Sequence, residues 1–277
     1  MKKQYLFAFG LALTMNAQGA SIHSGLLNYW SLDESGADTA SSFAESTGVT
    51  SNEGTPNGNA AYAAGLFGSA LSLDGTAGTY VTVPDGPGSD AGGVANDVDR
   101  TGSDLTLSAW VQVSSFTTNW QGIIAHGEQN DYRLARRGNL NVLAYAGGTG
   151  DIQGTTDVND GAWHHVAAVT LNGGTTQLFI DGVLEVTGAG PASIAASNAN
   201  NGAGNNVLWI GGNPDNGREF NGLLDDIAMW DRGLSAEEIS TIYSQGIAGN
   251  SLATIPEPSS ALLMLSGLFA GMIRRKR

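Results

Sequence analysis

The sequence predicts an all-β body of two packed antiparallel sheets, with one short helix near the C-terminal end. Three observations carry this. Many short segments alternate apolar and polar residues with period two, the signature of half-buried strands. Gly makes up 40 of the 277 residues, about twice its average share, and Gly, Asn, Asp and Ser punctuate the gaps. A single internal segment has helical spacing, behind a capping signal. One all-β domain can fill roughly 200–250 residues, and no internal linker or fixed-period repeat divides this one.

The elements follow in order. Residues 26–32, 70–73 and 80–83 are the first strands. In residues 105–113, Leu105, Leu107, Ala109, Val111 and Val113 share one face. Residues 122–125 and 140–144 come next. Residues 163–171 are mostly apolar, as in a central strand. Residues 176–180 and 183–186 flank Asp181-Gly182, a two-residue hairpin signal. Residues 207–211 and 222–230 complete the set. Residues 41–59 and 189–206 are poor in large apolar side chains and read as exposed loops. In the helix, Ser235 caps and Glu238 reaches back, and Ile239, Ile242 and Tyr243 follow at helical spacing.

Composition excludes several function classes. With no Cys there is no disulfide, thiolate-held metal or thiol nucleophile. The net charge is −14, but six of the twelve basic residues lie at the two ends. Between residues 21 and 255 six arginines face 25 acids, a net of −19, with no Lys. Such a body repels nucleic acid and attracts divalent cations.

Both ends read as addresses. Residues 1–20 have Lys2 and Lys3, an apolar stretch over 5–15 and small residues to Ala20, the pattern of a secretory signal peptide. The last segment, 251–277, contains Pro256-Glu257-Pro258, an apolar stretch over 261–273 and a basic end from Arg274 to Arg277. Thirteen residues make a helix of about 20 Å, too short for the ~30 Å hydrocarbon core. This tripartite end resembles the PEP-CTERM sorting signal. The resemblance implies export through the secretion machinery of a Gram-negative bacterium. It also implies transient inner-membrane anchoring, processing by an exosortase-type protease, and a final place on the cell surface or in the extracellular matrix.

The body, 21–250, carries a second resemblance. Asn28-Tyr29-Trp30-Ser31-Leu32-Asp33-Glu34 opens it, and Gly68-Ser69-Ala70-Leu71-Ser72-Leu73-Asp74-Gly75 precedes Tyr80-Val81-Thr82-Val83-Pro84. Leu107-Ser108-Ala109-Trp110-Val111, Trp163-His164-His165-Val166-Ala167 and Leu178-Phe179-Ile180-Asp181-Gly182 follow. Phe220 to Ser235 closes it, through Leu224-Asp225-Asp226-Ile227. These blocks, in this order, resemble the laminin-G-like or concanavalin A-like lectin jelly roll. The fold hosts lectins, adhesion modules, glycanases and structural spacers, so function must be argued from the site.

The resemblance implies that the first and last strands pair and bring Asp33 near Asp225 or Asp226. Two readings of these acids stand open: one structural Ca²⁺, or carboxylates that accept backbone N–H groups. Adjacent strand residues face opposite ways, so His164 and His165 form no common site. One is expected in the core, donating to a backbone carbonyl. Glycoside hydrolysis needs two facing carboxyls, and the paired-Glu strand pattern of glycanases on this fold is absent, so the expectation is a non-enzyme. Sugars are held by aromatic rings with planar polar groups. Trp120, Tyr132, Arg133, Arg136 and Tyr145 are the candidate ligand contacts, with Trp209 beside them, and the alternative for each loop aromatic is packing beneath a loop; Trp30, Trp110, Trp163 and Trp230 are assigned to the core. Arg136-Arg137 either engages an acidic sugar or pairs with acids such as Asp131. The functional expectation is non-catalytic binding of a polysaccharide, surface glycan or glycoprotein. The alternatives are a structural surface protein without a specific ligand, and a glycanase or polysaccharide lyase with an unrecognised site.

Overall fold

The computed structural model describes residues 21–33, 52–84, 98–128, 131–188, 192–194, 207–214 and 217–256. Residues 1–20, where a signal peptide is expected, and Glu257 onward, with Glu257 and Pro258 of the expected sorting motif, lie outside the described residues, as does Glu34. The chain divides into a compact unit, Gly25–Ile255, and a unit of the two termini, Met1–Ser24 with Pro256–Arg277. In the terminal unit, Ser21–Ser24 form a turn in which Ser24 N–H donates to Ser21 O (2.9 Å).

In the compact unit, fifteen strands among the described residues build two antiparallel sheets. The eight-stranded sheet contains β1 (Leu26–Trp30), β3 (Ala61–Ala64), β4 (Ser69–Asp74), β6 (Leu105–Val113), β11 (Trp163–Thr170), β12 (Thr176–Ile180), β13 (Val183–Thr187) and β15 (Asn221–Trp230). Its order is β13-β12-β11-β6-β15-β4-β3, with β1 also on β15. The seven-stranded sheet contains β2 (Thr55–Asn57), β5 (Tyr80–Pro84), β7 (Gly122–Ala125), β8 (Tyr132–Arg136), β9 (Leu143–Gly147), β10 (Ile152–Gln153) and β14 (Val207–Ile210). Its order is β10-β9-β8-β7-β14-β5-β2. This is the two-sheet architecture that the alternation predicts.

Strands with strong alternation lie close to their expected positions, and β6, β7 and β12 match them residue for residue. Four strands were not expected. β3 is Ala-Tyr-Ala-Ala, with little side chain to mark a face, and β2 carries Pro56 at a sheet edge, where no ladder N–H is needed. β10 is two residues long. β8, a segment to which the alternation assigns no strand, lies inside the sheet between β7 and β9. Its Tyr132 and Leu134 enter the core, while Arg133 faces out. β9 begins three residues later than its expected start at 140.

The core between the sheets holds Leu105, Leu107, Ala109, Val111 and Val113, as the alternation requires. The opposite face of β6 is buried too, through Thr106, Ser108 and Trp110. The cause is helix α1 (Ala236–Ile247), which buries Ile239, Ile242 and Gly246. Trp110 stacks on Tyr243 (5.9 Å, 22°) and meets Phe67 edge-on (5.9 Å, 81°). A Cβ on Gly246 would stand 2.3 Å from the Trp110 ring, so only glycine allows this approach. The predicted capping box forms: Ser235 Oγ accepts from Glu238 N–H (3.2 Å), and Glu238 Oε2 accepts from Ser235 N–H (2.7 Å). Arg232 grips the same carboxylate with two N–H groups (3.0 and 2.7 Å).

Strand β15 changes partners along one edge. Asn221–Leu224 pair with β4, and Ile227–Trp230 pair with β1. Asp225 and Asp226 stand at the changeover, in a bulge where Asp226 takes φ 51°. Asp226 Oδ2 accepts from Leu252 N–H (2.7 Å), so the 3₁₀ turn Leu252–Thr254 belongs to the compact unit, past the expected boundary at 250.

Candidate functional site

The seven-stranded sheet arranges its outward side chains in register. One row crosses six strands: Ala146, Arg133, Ala125, Trp209, Thr82 and Thr55 on β9, β8, β7, β14, β5 and β2. Arg133 and Trp209 are two strands apart, about 10 Å, with only an alanine between them. Trp209 stacks face to face on Tyr80 of β5 (3.5 Å between ring centres, 13° between planes), and both rings are half-buried. The Trp209 indole Nε1–H has no hydrogen-bond partner among the described residues.

On the other side of the row, Arg133 is buried and its charge is shared. One terminal nitrogen contacts Glu128, and the other donates to Asp151 (2.7 Å). Glu128 also accepts from Arg218 (3.1 Å) and from Asn213 (3.1 Å). Trp120 lies beside this network, with the guanidinium groups of Arg133 and Arg137 over its ring at 4.9 and 4.7 Å. Arg137 donates from Nε to Gln153 (3.3 Å), and a terminal nitrogen stands 3.6 Å from Asp151. Two members are in the left-handed region, Trp120 (φ 62°) and Arg218 (φ 57°). Each such non-glycine residue costs about 1–3 kcal/mol and persists where its surroundings over-determine it, often at ligand-holding sites. Trp120 is held by N–H donation to Gly138 O (3.0 Å), and Arg218 O accepts from Gly122 N–H (2.9 Å).

Of the five expected ligand contacts, the structure brings Trp120 and Arg133 together and corrects the other three. Tyr132 is wholly buried; its hydroxyl donates to Val98 O (2.6 Å) and its ring stacks on His126. Tyr145 is wholly buried, its hydroxyl 2.7 Å from Thr170 Oγ1, and burial pushes its pKa up. Neither ring offers a face to a ligand. Arg136 is turned inward and donates to the carbonyls of Leu140 (2.6 Å), Asn139 (2.7 Å) and Thr118 (2.9 Å), clamping two loops; burial lowers its pKa. Asp131, a possible partner for the arginine pair, instead faces His126 Nδ1 (2.9 Å). Glu128, Asp151 and Arg218 come from segments without motif character, so their meeting with Arg133 was not legible. Trp30, Trp110 and Trp230 are buried as assigned, whereas Trp163 is only partly so.

The acid candidates gather at the β15 changeover. Asp225 Oδ2 accepts from Leu66 N–H (2.8 Å) and Phe67 N–H (3.0 Å). Asp33 Oδ1 accepts from Ser69 N–H (3.2 Å), and Asp226 from the Tyr29 hydroxyl as well as Leu252. These carboxylates therefore hold the β3–β4 turn and the C-terminal 3₁₀ turn through backbone N–H groups. Burial pushes the Asp225 carboxyl up to about 7 and that of Asp226 up to about 6, with the neighbouring acid charges adding to the shift. Among the described residues, no three or more His, Cys, Asp or Glu side chains converge to hold a metal ion.

His164 and His165 face opposite ways, as strand geometry requires. His164 Nδ1 is 2.9 Å from Asp181 and its Nε2 is 3.2 Å from Asp160; hydrogen bonding to these carboxylates raises its pKa against the burial that lowers it. His165 is buried, and its Nε2 meets Ser108 Oγ (2.8 Å) rather than the backbone carbonyl expected; burial lowers its pKa to about 4.

Comparison with known proteins places this architecture. The family model described as the concanavalin A-like lectin/glucanases superfamily matches residues 74–240. The rat sushi, von Willebrand factor type A, EGF and pentraxin domain-containing protein 1 is 33% identical over 151 residues; that match covers 50% of this chain and 4% of the relative. Among solved structures, the binding domain of Paraclostridial Mosquitocidal Protein 1 superposes with TM-score 0.61 at 13% identity, covering 81% of this chain and 53% of that one. Domain 4 of AbnA, a GH43 extracellular arabinanase from Geobacillus stearothermophilus, solved in complex with arabinotriose, gives 0.56 at 21% identity, covering 79% and 98%. The binding domain of botulinum neurotoxin DC, in complex with rat synaptotagmin II, gives 0.58 at 13%, covering 82% and 52%. At these identities the structural likeness speaks to the fold. With its family model matched over well more than half its length, this chain belongs to the concanavalin A-like lectin/glucanase superfamily.

Proposed function

We propose that this protein is an exported, non-catalytic carbohydrate-binding protein of the cell surface or extracellular matrix, delivered by its signal segment and sorted through its PEP-CTERM tail. One observation carries the binding reading. The outward row Arg133–Ala125–Trp209 sets an aromatic pair and an arginine–tryptophan cluster two strands apart on one face. A sugar offers C–H groups to ring faces and hydroxyls to planar polar groups, and this face presents both. Solved neighbours support the reading: one is an arabinanase domain with bound arabinotriose, and others are binding domains of toxins.

Glu128 and Asp151, the two carboxylates paired in this cluster among the described residues, are both engaged by Arg133, which favours binding over glycoside hydrolysis. The purified protein is to be run over a glycan array, with and without calcium chelator. Binding to a defined glycan is expected. Trp209→Ala should weaken that binding at least tenfold while leaving the fold intact by circular dichroism, since the ring is a half-buried anchor. Binding lost with chelator supports a divalent cation in the binding reaction. Folded protein that binds no glycan supports a purely structural surface protein.

A further inference from the structure

We infer that the guanidinium of Arg137 is the carboxylate-recognising group of this face, so that its ligand is an acidic glycan bearing uronate or a comparable sugar carboxylate. The inference rests on the carbohydrate-binding reading above and sharpens it.

Arg137 is the arginine of the body least committed to internal partners. The body has six, against 25 acids. Arg232 is bound by both terminal nitrogens to Glu238. Arg136 donates to backbone carbonyls, and Arg133 has one carboxylate at each end of its fork. Arg218 is paired with Glu128. Arg100 is buried, with a terminal nitrogen on Asp104 O (3.5 Å). Arg137 differs from all of them. Its side chain is 34% exposed, and among the described residues its only hydrogen bond is from Nε to Gln153. Among the described residues neither terminal nitrogen makes a hydrogen bond, although one is ion-paired with Asp151 at 3.6 Å.

Arg137 is nonetheless held in place. The indole of Trp120 lies 4.7 Å from its guanidinium, and Gln153 fixes Nε. A planar fork fixed at its base and open at its tip is the arrangement that binds a carboxylate with two parallel N–H···O bonds. The nearest internal acid does not fill that role: Asp151 already accepts from Arg133, and its other oxygen stands 3.6 Å from Arg137.

The local charge agrees. Among the described residues, the ion pairs of this cluster set three arginines, Arg133, Arg137 and Arg218, against two carboxylates, Glu128 and Asp151, on a body whose net charge is −19. A neutral sugar draws no advantage from that excess. The surrounding negative charge is screened beyond about 8 Å at physiological salt. Recognition is therefore a contact effect, made after the sugar has docked beside the aromatic pair.

The test titrates the full protein with a panel of acidic oligosaccharides (oligogalacturonate, oligoalginate, hyaluronan oligomers, sialyllactose), each paired with its carboxyl-reduced twin. At least one acidic form is expected to bind tenfold or more tightly than its twin. Arg137→Ala should bring the two to equal affinity, and Trp209→Ala should weaken both by the same factor. Each variant is checked for wild-type folding by circular dichroism. If every bound glycan binds as tightly as its reduced twin, the acidic-ligand inference is wrong and the carbohydrate reading stands. Discrimination that survives Arg137→Ala overturns the assignment of that residue. Folded protein that binds none of the panel overturns the acidic-ligand inference, and binding of neutral glycans on the array then decides the broader reading.

Discussion

The two outer faces of this sandwich are built from similar strands and finished in opposite ways. On the eight-stranded sheet the chain returns and covers itself. Helix α1 lies over Trp110, and the acids of β15 point at backbone N–H groups of the segments that close the face. On the seven-stranded sheet, the described residues place no helix over the row. Half-exposed rings and an arginine–carboxylate network stand there instead. The difference teaches that a tryptophan's meaning in this fold is set by what lies over its face. Trp110 and Trp209 both stand on outer faces, yet one is core and the other is surface.

The largest expected effect breaks or upholds that contrast directly. Trp110→Ala should cost about 3–5 kcal/mol of stability, since it removes a fully buried ring. In a domain of this size that lowers the melting temperature by roughly 10 °C. Trp209→Ala should cost well under half as much. Equal losses in thermal melts would show that both faces are closed.

The next effect is a pH dependence confined to the covered face. Burial raises the folded Asp225 carboxyl to about 7, above its ordinary value of 3.8. Between these values the unfolded group is ionised while the folded group holds its proton. Its contribution to stability is therefore greatest at low pH and falls as the pH rises from about 4 to about 7. Asp225→Asn lacks this penalty. Its melting temperature relative to wild type should climb across that window, by on the order of 5 °C. His165, with its lowered pKa, acts with the opposite sign between about 4 and 6.5, but it is present in both proteins and cancels in the difference. A gap that stays flat with pH would falsify the reading of Asp225.

The smallest effect concerns how the cover is attached. Ser235→Ala removes the side-chain cap of α1 and should cost about 1 kcal/mol, or 2–4 °C. The loss should leave glycan affinity unchanged, because the helix lies on the other sheet. A change in affinity would mean that the two faces are coupled.

The fold was legible wherever the signal was local. The alternation of β6, the Asp181-Gly182 hairpin and the Ser235–Glu238 box each lie within about ten residues, and each appears at its expected place. β3 and β10 were not legible, because alanines and a two-residue bridge leave no pattern. The candidate site was legible only in part. Residue type points equally to Trp120, Arg133, Tyr132 and Tyr145; the first two meet on the outer face, whereas the two tyrosines are core.

The sequence by itself determined the all-β class, the helix and its cap, the acidity of the body and the order of the family blocks. Those properties depend on neighbours in the chain. Only the tertiary structure decided that Trp120, Glu128, Arg133, Asp151 and Arg218 meet, that Arg136 turns inward while Arg137 stays open, and that one sheet is covered. Period-two alternation separates the two faces of a strand. It carries no information about what lies over either one, because the covering segments come from up to a hundred or more residues away.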